Sequence, residues 1–516
     1  MAGIHAHDDR LGDFSADGFA ARDRFNDESL ARFEAFTENE LFPAERIDRA
    51  LIVADLRGER AVRTFARWRR QPTIYSDPII RGAYYAFLRE HAPLAERVAT
   101  LAERLAHAPA ALEAAKANLD PALVPPEFVE IALRSVPAGA TFLRVGTQAM
   151  VPTASALERA AERAFRPAAE AAASALEAYE LWLEKELLPK ARGTFAIGRD
   201  AVDEWLKQKE LLDHDAASLR EWGDEFYGET EAALNAAAME IGHQDWRAAV
   251  EALRQDHPTE DTLVETYRAE MERSRLAVAT SGLATVPYGE DLVVEAMPEF
   301  QRPTYPYAAY VGAGPFEPSR RGRFWVTLPD AHDDEKTRRE RLEGHPRAGI
   351  AVIACHEGYP GHHLQLTVAA DQPSLARKAI RSNLMVEGWG LYVEELMTEL
   401  GYLDSPETRL LRLKDLLWRA SRVTVDVGLA TGEMSFDHAV RFMVERARLE
   451  TPNAVAEVRR YAQSPLQPSS YGLGREAILA LRDKARAAGW GMRLFHDRLL
   501  GAGSLPPKLL ATELGL

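Results

Sequence analysis

His356, Glu357, His362 and His363 fall within eight positions of this sequence, directly behind the apolar run at residues 351–355. The whole chain has only 14 histidines, so the clustering points to a shared task. The chemistry these residue types offer is metal-assisted hydrolysis. In an H-E-x-x-H helix, two imidazoles one turn apart hold a metal and the carboxylate between them works on its water. This chain opens that pattern and then leaves it, with Pro360 at i+4 from His356 and the next histidine at i+6. On an unbroken helix that position lies roughly 240° round and about 9 Å along the axis, too far to share one ion. The backbone must therefore turn. Pro360 and Gly361 suit that task, since proline lacks a helical donor and glycine tolerates unusual dihedrals. The reading is a helix bearing His356 and Glu357, a break at Pro-Gly, and His362 brought back to the metal, with His363 as the alternative ligand. Cys355, the single cysteine, points about 100° away from His356 on such a helix and reads as a small buried hydrophobe.

A second stretch, residues 382–395, supplies the acid that would complete a His-His-Glu set. Glu387 follows the histidines at a suitable interval and is the expected third ligand. Glu394 falls near the same helical face about 10 Å further on, which suits a supporting role better. Downstream, Arg422 and Asp426 stand at i,i+4, either as a simple ion pair or facing the site. Residues 464–475 form a proline-to-glycine loop that delivers Tyr471 just before a last long helix. A phenol so placed can donate to the oxyanion of a tetrahedral intermediate, or simply pack on the loop.

The elements that must position these groups are mostly helical. Apolar residues recur at helical spacing from Asp27 to about Ala108, as at Leu101, Leu105 and Ala108. Pro121, Pro125, Pro126 and Pro137 interrupt the pattern, and an alanine-rich helix spans residues 153–190. Further helices are expected around Trp205, over Leu219 to Ile241 and over Asp261 to Ala279. The texture changes between Pro287 and Pro329. Pro298, Pro303, Pro306, Pro315, Pro318 and residues 310–314 indicate loops, while Arg323 to Leu328 reads as a strand. Its edge could pair with an extended peptide, or it could be part of a hairpin packed over the helices. Gly312-Ala313-Gly314 lacks the following residues a phosphate loop needs. After a charged loop, Asp330 to Glu340, helical patterning continues almost to the end. The chain thus divides into an N-terminal helical region (1–290), a loop and short β segment (291–340) and a C-terminal helical metal-site region (341–516), together one catalytic unit.

Composition excludes several function classes. Hydrophobic residues make up 46% and charged residues 28%, the profile of an ordinary globular chain. A formal charge of -16, from 63 basic and 79 acidic residues, disfavours nucleic acid and anionic lipid as partners. One cysteine excludes an intrachain disulfide. The N-terminus lacks the basic-then-apolar pattern of a secretion signal, no apolar run reaches the ~20 residues of a membrane helix, and a cytoplasmic location is expected. His5 and His7 read as part of a mobile terminus.

At these residues the chain resembles the bacterial family known as domain of unknown function 885. H-E-G-Y-P-G-H-H-L-Q from His356, E-G-W-G-L-Y from Glu387, R-x-x-R-V-T-V-D-V-G from Arg419 and Q-P-S-S-Y-G-L-G from Gln467 stand in that family's order. The first is similar to its H-E-x-x-P-G-H signature, in which the position of His362 belongs to the pattern and the next varies, favouring His362 as ligand. Members look like helical zinc peptidases, distantly similar to thimet oligopeptidase and to the thermostable carboxypeptidases, so the resemblance implies a mostly α-helical bowl around a zinc cleft and a carboxypeptidase- or oligopeptidase-like activity. Where many members carry lysine after the loop tyrosine, this chain has Gly472.

The resulting expectation is a zinc-dependent hydrolase of short peptides. His356, His362 and Glu387 would hold zinc, Glu357 would be the general base, and Tyr471 and Arg422 would meet the oxyanion or the substrate carboxylate. A non-peptide amide is the neighbouring alternative. A helical binding protein is the distant one, its metal absent or structural, with a fourth ligand such as His363 closing the site.

Overall fold

Helix-forming composition decides most of this chain, and the computed structural model is mostly α with one small sheet. It describes residues 2–148, 150–151, 153–298, 302, 305, 307–330 and 333–516; Pro303 and Pro306 lie outside the described residues. Two compact units divide it, one from residues 1–32 and 59–197, the other from 33–58 and 198–516.

In the first unit the alanine-rich stretch is the helix Ala156–Trp182. Its start is set by a capping box, with Ser155 Oγ accepting from the Glu158 amide at 3.1 Å and the Glu158 carboxylate accepting from the Ser155 amide at 2.6 Å. Small residues, Ala169, Ala172 and Ala173, line its buried face and let it pack on the helix Leu94–Ala106. Two of the expected interruptions are not breaks. Pro126 opens the helix Pro126–Thr141, where its missing N–H is no loss, and Pro137 lies inside that helix. The N-terminus is held as well, with His5 stacked on His91.

The second unit carries the residues with chemistry. Its strands are β1 (Asp291–Ala296), β2 (Ala308–Val311) and β3 (Arg321–Val326), in the order β1-β3-β2. β1 runs parallel and β2 antiparallel to β3. β3 is therefore the central strand, and its edges cannot take a peptide; the residues expected as loop around Tyr310 instead form part of β2. Phe324, aligned with Val294 on one side and Tyr310 on the other, is fully buried against Tyr267, Ile350 and Ala354. Such a side chain contributes roughly 1.5–3 kcal/mol. It seats the sheet on the helix Arg347–Glu357, which bears His356.

The charged segment after the sheet is loop only in part. Asp334 accepts from the Thr337 amide at 2.7 Å and starts the helix Glu335–Glu343. The helix Asn383–Glu399 is packed against the helix Ser470–Ala487 and sends Trp389, Tyr392, Val393 and Leu396 into a core shared with Tyr359, Leu364 and Phe495. Pro406–Thr431 is buried at every residue from Ala420 to Ala430, so its polar groups there must all find partners inside the protein. No helix among the described residues is long and apolar enough to cross a membrane.

Candidate metal and catalytic site

The helix Arg347–Glu357 stops at Glu357, and a second helix, His362–Ala370, begins five residues later. The turn between them includes a cis Tyr359-Pro360 bond. Gly361 passes so close to the preceding helix that a Cβ there would stand 1.9 Å from the His356 carbonyl oxygen. That close return explains the glycine. Trp389 pins the turn, its indole N–H donating to the Pro360 carbonyl at 2.8 Å. The result is that the imidazoles of His356 and His362 meet edge to face, with ring centroids 4.8 Å apart.

Glu387, on the first turns of Asn383–Glu399, faces them. One ligand atom each from His356, His362 and Glu387 lies within 4.8 Å of the others, with His362 Nε2 3.5 Å from Glu387 Oε2. Among the described residues no fourth histidine, cysteine or carboxylate joins this group. The outer nitrogens are already committed. His356 Nδ1 is 2.7 Å from Glu394 Oε1, and His362 Nδ1 is 3.3 Å from Gln365 Oε1. Gln365 is itself fixed by donating to the Met385 carbonyl at 2.9 Å. His362 turns its Nε2 toward Glu387, and His356 Nε2 is the ring nitrogen left uncommitted, which is the donor arrangement a divalent metal needs. Gly390 makes room for it: a Cβ there would fall 2.6 Å from His356 Cε1.

Electrostatics ties the set together. Burial works against ionised Glu387, but the hydrogen bond and charge of His362, with His356 and the Tyr471 hydroxyl, hold its carboxyl at about 2. Burial likewise disfavours charged His362, yet Glu387 and the Glu357 carboxylate raise it to about 9. The pair therefore favours the state with a positive charge beside the carboxylate, the charge pattern that a bound cation also satisfies. Glu357 acts on this site through space, and no hydrogen bond holds its carboxylate to another described residue.

His363 is directed elsewhere. It is fully buried, with Nε2 2.9 Å from Glu290 Oε2 and Nδ1 3.1 Å from the Tyr310 hydroxyl. Tyr359 and Arg275 complete that carboxylate's partners. With both ring nitrogens engaged, His363 is no ligand in this structure.

Arg422 and Asp426 do not pair with each other. Asp426 accepts from the amides of Leu466 and Ser469, at 2.8 and 2.9 Å, and from Ser469 Oγ at 2.6 Å. It anchors the segment that brings Gln467 and Tyr471 to Glu387. Burial raises its carboxyl to about 6 against those hydrogen bonds. Gln467 Nε2 donates to Glu387 Oε1 at 3.2 Å and its Oε1 accepts from Arg460 at 2.9 Å. Tyr471 lies in the first turn of the helix Ser470–Ala487 rather than on a loop, and two shorter helices follow. Gly472 sits where a Cβ would press on the rings of Trp222 and Phe226, so a larger side chain there would require those rings to move.

Gln365, Gln467, Gly390 and Glu290 have functions in the site that spacing does not announce. Gln467 stands in a recognisable motif, but only its contact with Glu387 gives it a task. Glu290 lies 73 positions from His363 in sequence, with nothing local to signal the pairing.

A mostly α-helical chain with a buried His-His-Glu cluster at a helix break is the class these observations define. The chain belongs to the family described as Bacterial protein of unknown function (DUF885), matching it over residues 1–514. No curated protein matches it. Two solved structures share the fold, both described as a "putative lipoprotein". The one from Shewanella oneidensis is 23% identical and covers 100% of this chain and 95% of its own, with a TM-score of 0.79. That from Colwellia psychrerythraea is 18% identical, with 98% and 92% coverage and a TM-score of 0.81. These descriptions correct the expectation of a cytoplasmic location: both of these proteins with the same fold are described as putative lipoproteins, which points to a membrane-anchored or exported protein. A single cysteine and an ordinary composition fit either side of a membrane, so they do not decide the compartment.

Proposed function

We propose that this protein is a zinc-dependent hydrolase that cleaves short peptides. The observation that carries the reading is the convergence of His356, His362 and Glu387, with each imidazole's outer nitrogen already held by a protein acceptor. Two imidazoles and one carboxylate, with no fourth protein ligand among the described residues, are the donor set of a catalytic rather than a closed structural zinc site. When bound there, zinc supplies Lewis acidity at a carbonyl oxygen and lowers the pKa of water.

The chain's own groups do the rest. Glu357, one residue from His356 and free of hydrogen bonds to described residues, accepts a proton from the attacking water and returns it to the leaving amine nitrogen. Glu394 and Gln365 hold the imidazoles in the tautomer that leaves Nε2 available. Tyr471, beside Glu387, offers its hydroxyl to the developing oxyanion.

The test is Glu357→Gln, which preserves size and removes proton transfer. Bound zinc and melting temperature are expected to match the wild type, while cleavage across a peptide library read by mass spectrometry falls by ~10² to 10⁴. Wild-type cleavage rates in this variant would exclude Glu357 as the base.

A further inference from the structure

Three arginines, Arg419, Arg422 and Arg460, stand around Tyr471 on the side of the site next to Glu387, although the chain as a whole carries -16. At its centre is the Arg422 guanidinium, held between aromatic faces 4.5 Å from the Trp418 ring centroid and 4.7 Å from that of Tyr471. Its Nε donates to the Tyr461 hydroxyl at 3.0 Å and its Nη2 lies 3.4 Å from Glu457 Oε2. Its Nη1 is buried and has no hydrogen-bond partner among the described residues. The side chain as a whole is only 5% exposed, so this is an orphaned donor inside the protein rather than one facing bulk water.

The neighbouring carboxylates are shared between cations. Glu457 is shared by Arg422 and by Arg460, which lies 2.8 Å from the same oxygen. Three residues before Arg422, Arg419 shares Asp415 with Lys414, at 3.5 and 3.1 Å. A buried guanidinium with an unused N–H suits an anion. Arg422 is separated from the ligand Glu387 only by the Tyr471 ring, whose hydroxyl interacts with that carboxylate.

We propose that Arg422 receives the free α-carboxylate of the peptide's last residue, which makes the enzyme a carboxypeptidase that removes one C-terminal amino acid at a time. The inference rests on the hydrolase reading above. Its reaction consumes one water: the C–N bond breaks, the carbonyl carbon gains the hydroxyl, and the nitrogen gains the proton and leaves as the amine of a free amino acid. Arg422 is a binding residue in this scheme, acting on the substrate's carboxylate and not on the reacting atoms.

The experiment compares three matched N-acetylated tetrapeptides on the zinc-loaded wild-type protein: a free acid, its C-terminal amide, and an amide ending in glutamate. Release of the single last residue from the free acid is expected, with kcat/KM at least about tenfold above either amide, the worth of one charge-assisted hydrogen bond. Cleavage of the plain amide within about threefold of the acid, or a first cut inside the peptide, overturns the proposal while leaving the hydrolase reading intact. Restored cleavage of the glutamate amide assigns Arg422 to an acidic side chain instead and also overturns it. No cleavage of any of the three, or of a wider library, overturns the hydrolase reading and the carboxypeptidase with it. In Arg422→Gln the acid-to-amide ratio is expected to fall to within about threefold, chiefly through KM, and Arg422→Lys is expected to recover part of it. Should neither variant fold, the wild-type ratio decides.

Discussion

Glu394 places its carboxylate 2.7 Å from Nδ1 of His356, and both side chains are almost fully shielded from water. A buried acceptor on the outer nitrogen fixes the tautomer and the ring plane, so the free nitrogen is presented to Glu387 without further ordering. Glu394→Gln keeps the volume and removes the charge. We expect metal affinity to fall about 10- to 100-fold with the fold retained. Titration against a competing chelator measures this, and an unchanged affinity would reduce Glu394 to packing.

The two adjacent histidines separate cleanly by mutation. His362→Ala is expected to lose the metal. His363→Ala is expected to keep it and to lose stability by about 1–3 kcal/mol, because Glu290 and Tyr310 each lose a buried partner. Metal content by elemental analysis and urea denaturation give the two readouts, and the opposite pattern would transfer the ligand assignment to His363.

Tyr471 stands between Glu387 and Arg422. Tyr471→Phe keeps the ring that Arg422 stacks on and removes only the hydroxyl. Turnover is expected to fall at least roughly tenfold with zinc still bound, since one oxyanion donor is worth ~2.7 to 4 kcal/mol. Equal turnover would leave the tyrosine a purely structural ring.

Stability should fall in mild acid for a reason remote from the metal. Burial lowers His496 to about 4, while its Nε2 meets the Tyr392 hydroxyl at 2.7 Å and its Nδ1 meets the Leu283 carbonyl at 2.9 Å. An unfolded histidine titrates near 6.5. Between those values the unfolded chain binds a proton that the folded chain refuses, so stability is full above pH 6.5, declines toward pH 4 and levels off below. The contribution of this one group is on the order of 3 kcal/mol. His345, lowered to about 4 mainly by burial, adds a loss of the same sign. The stability gap between wild type and His496→Gln, from urea curves at pH 7 and pH 4.5, is expected to narrow on acidification. Parallel curves would show that His496 takes up its proton without penalty.

The sequence alone determined the helical class, because helix periodicity and alanine-rich composition are local properties that act within a few residues. It also determined that the chain must turn between His356 and His362, since proline at i+4 and glycine at i+5 act on their own backbone. What only the tertiary structure decided is which groups meet. His362 and His363 are adjacent in sequence, and their fates differ because a helix start points them about 100° apart, one toward Glu387 and the other toward Glu290. Arg422 and Asp426 have the spacing of an i,i+4 pair, yet on a helix buried along that stretch each is claimed by a different neighbour, Glu457 and the amides of Leu466 and Ser469. The strand at Arg321–Val326 reads as a possible edge until β1 and β2 are seen on either side of it. Hydrogen bonds and ion pairs between residues tens to hundreds of positions apart form only when packing has brought their helices together, and no local pattern records that choice.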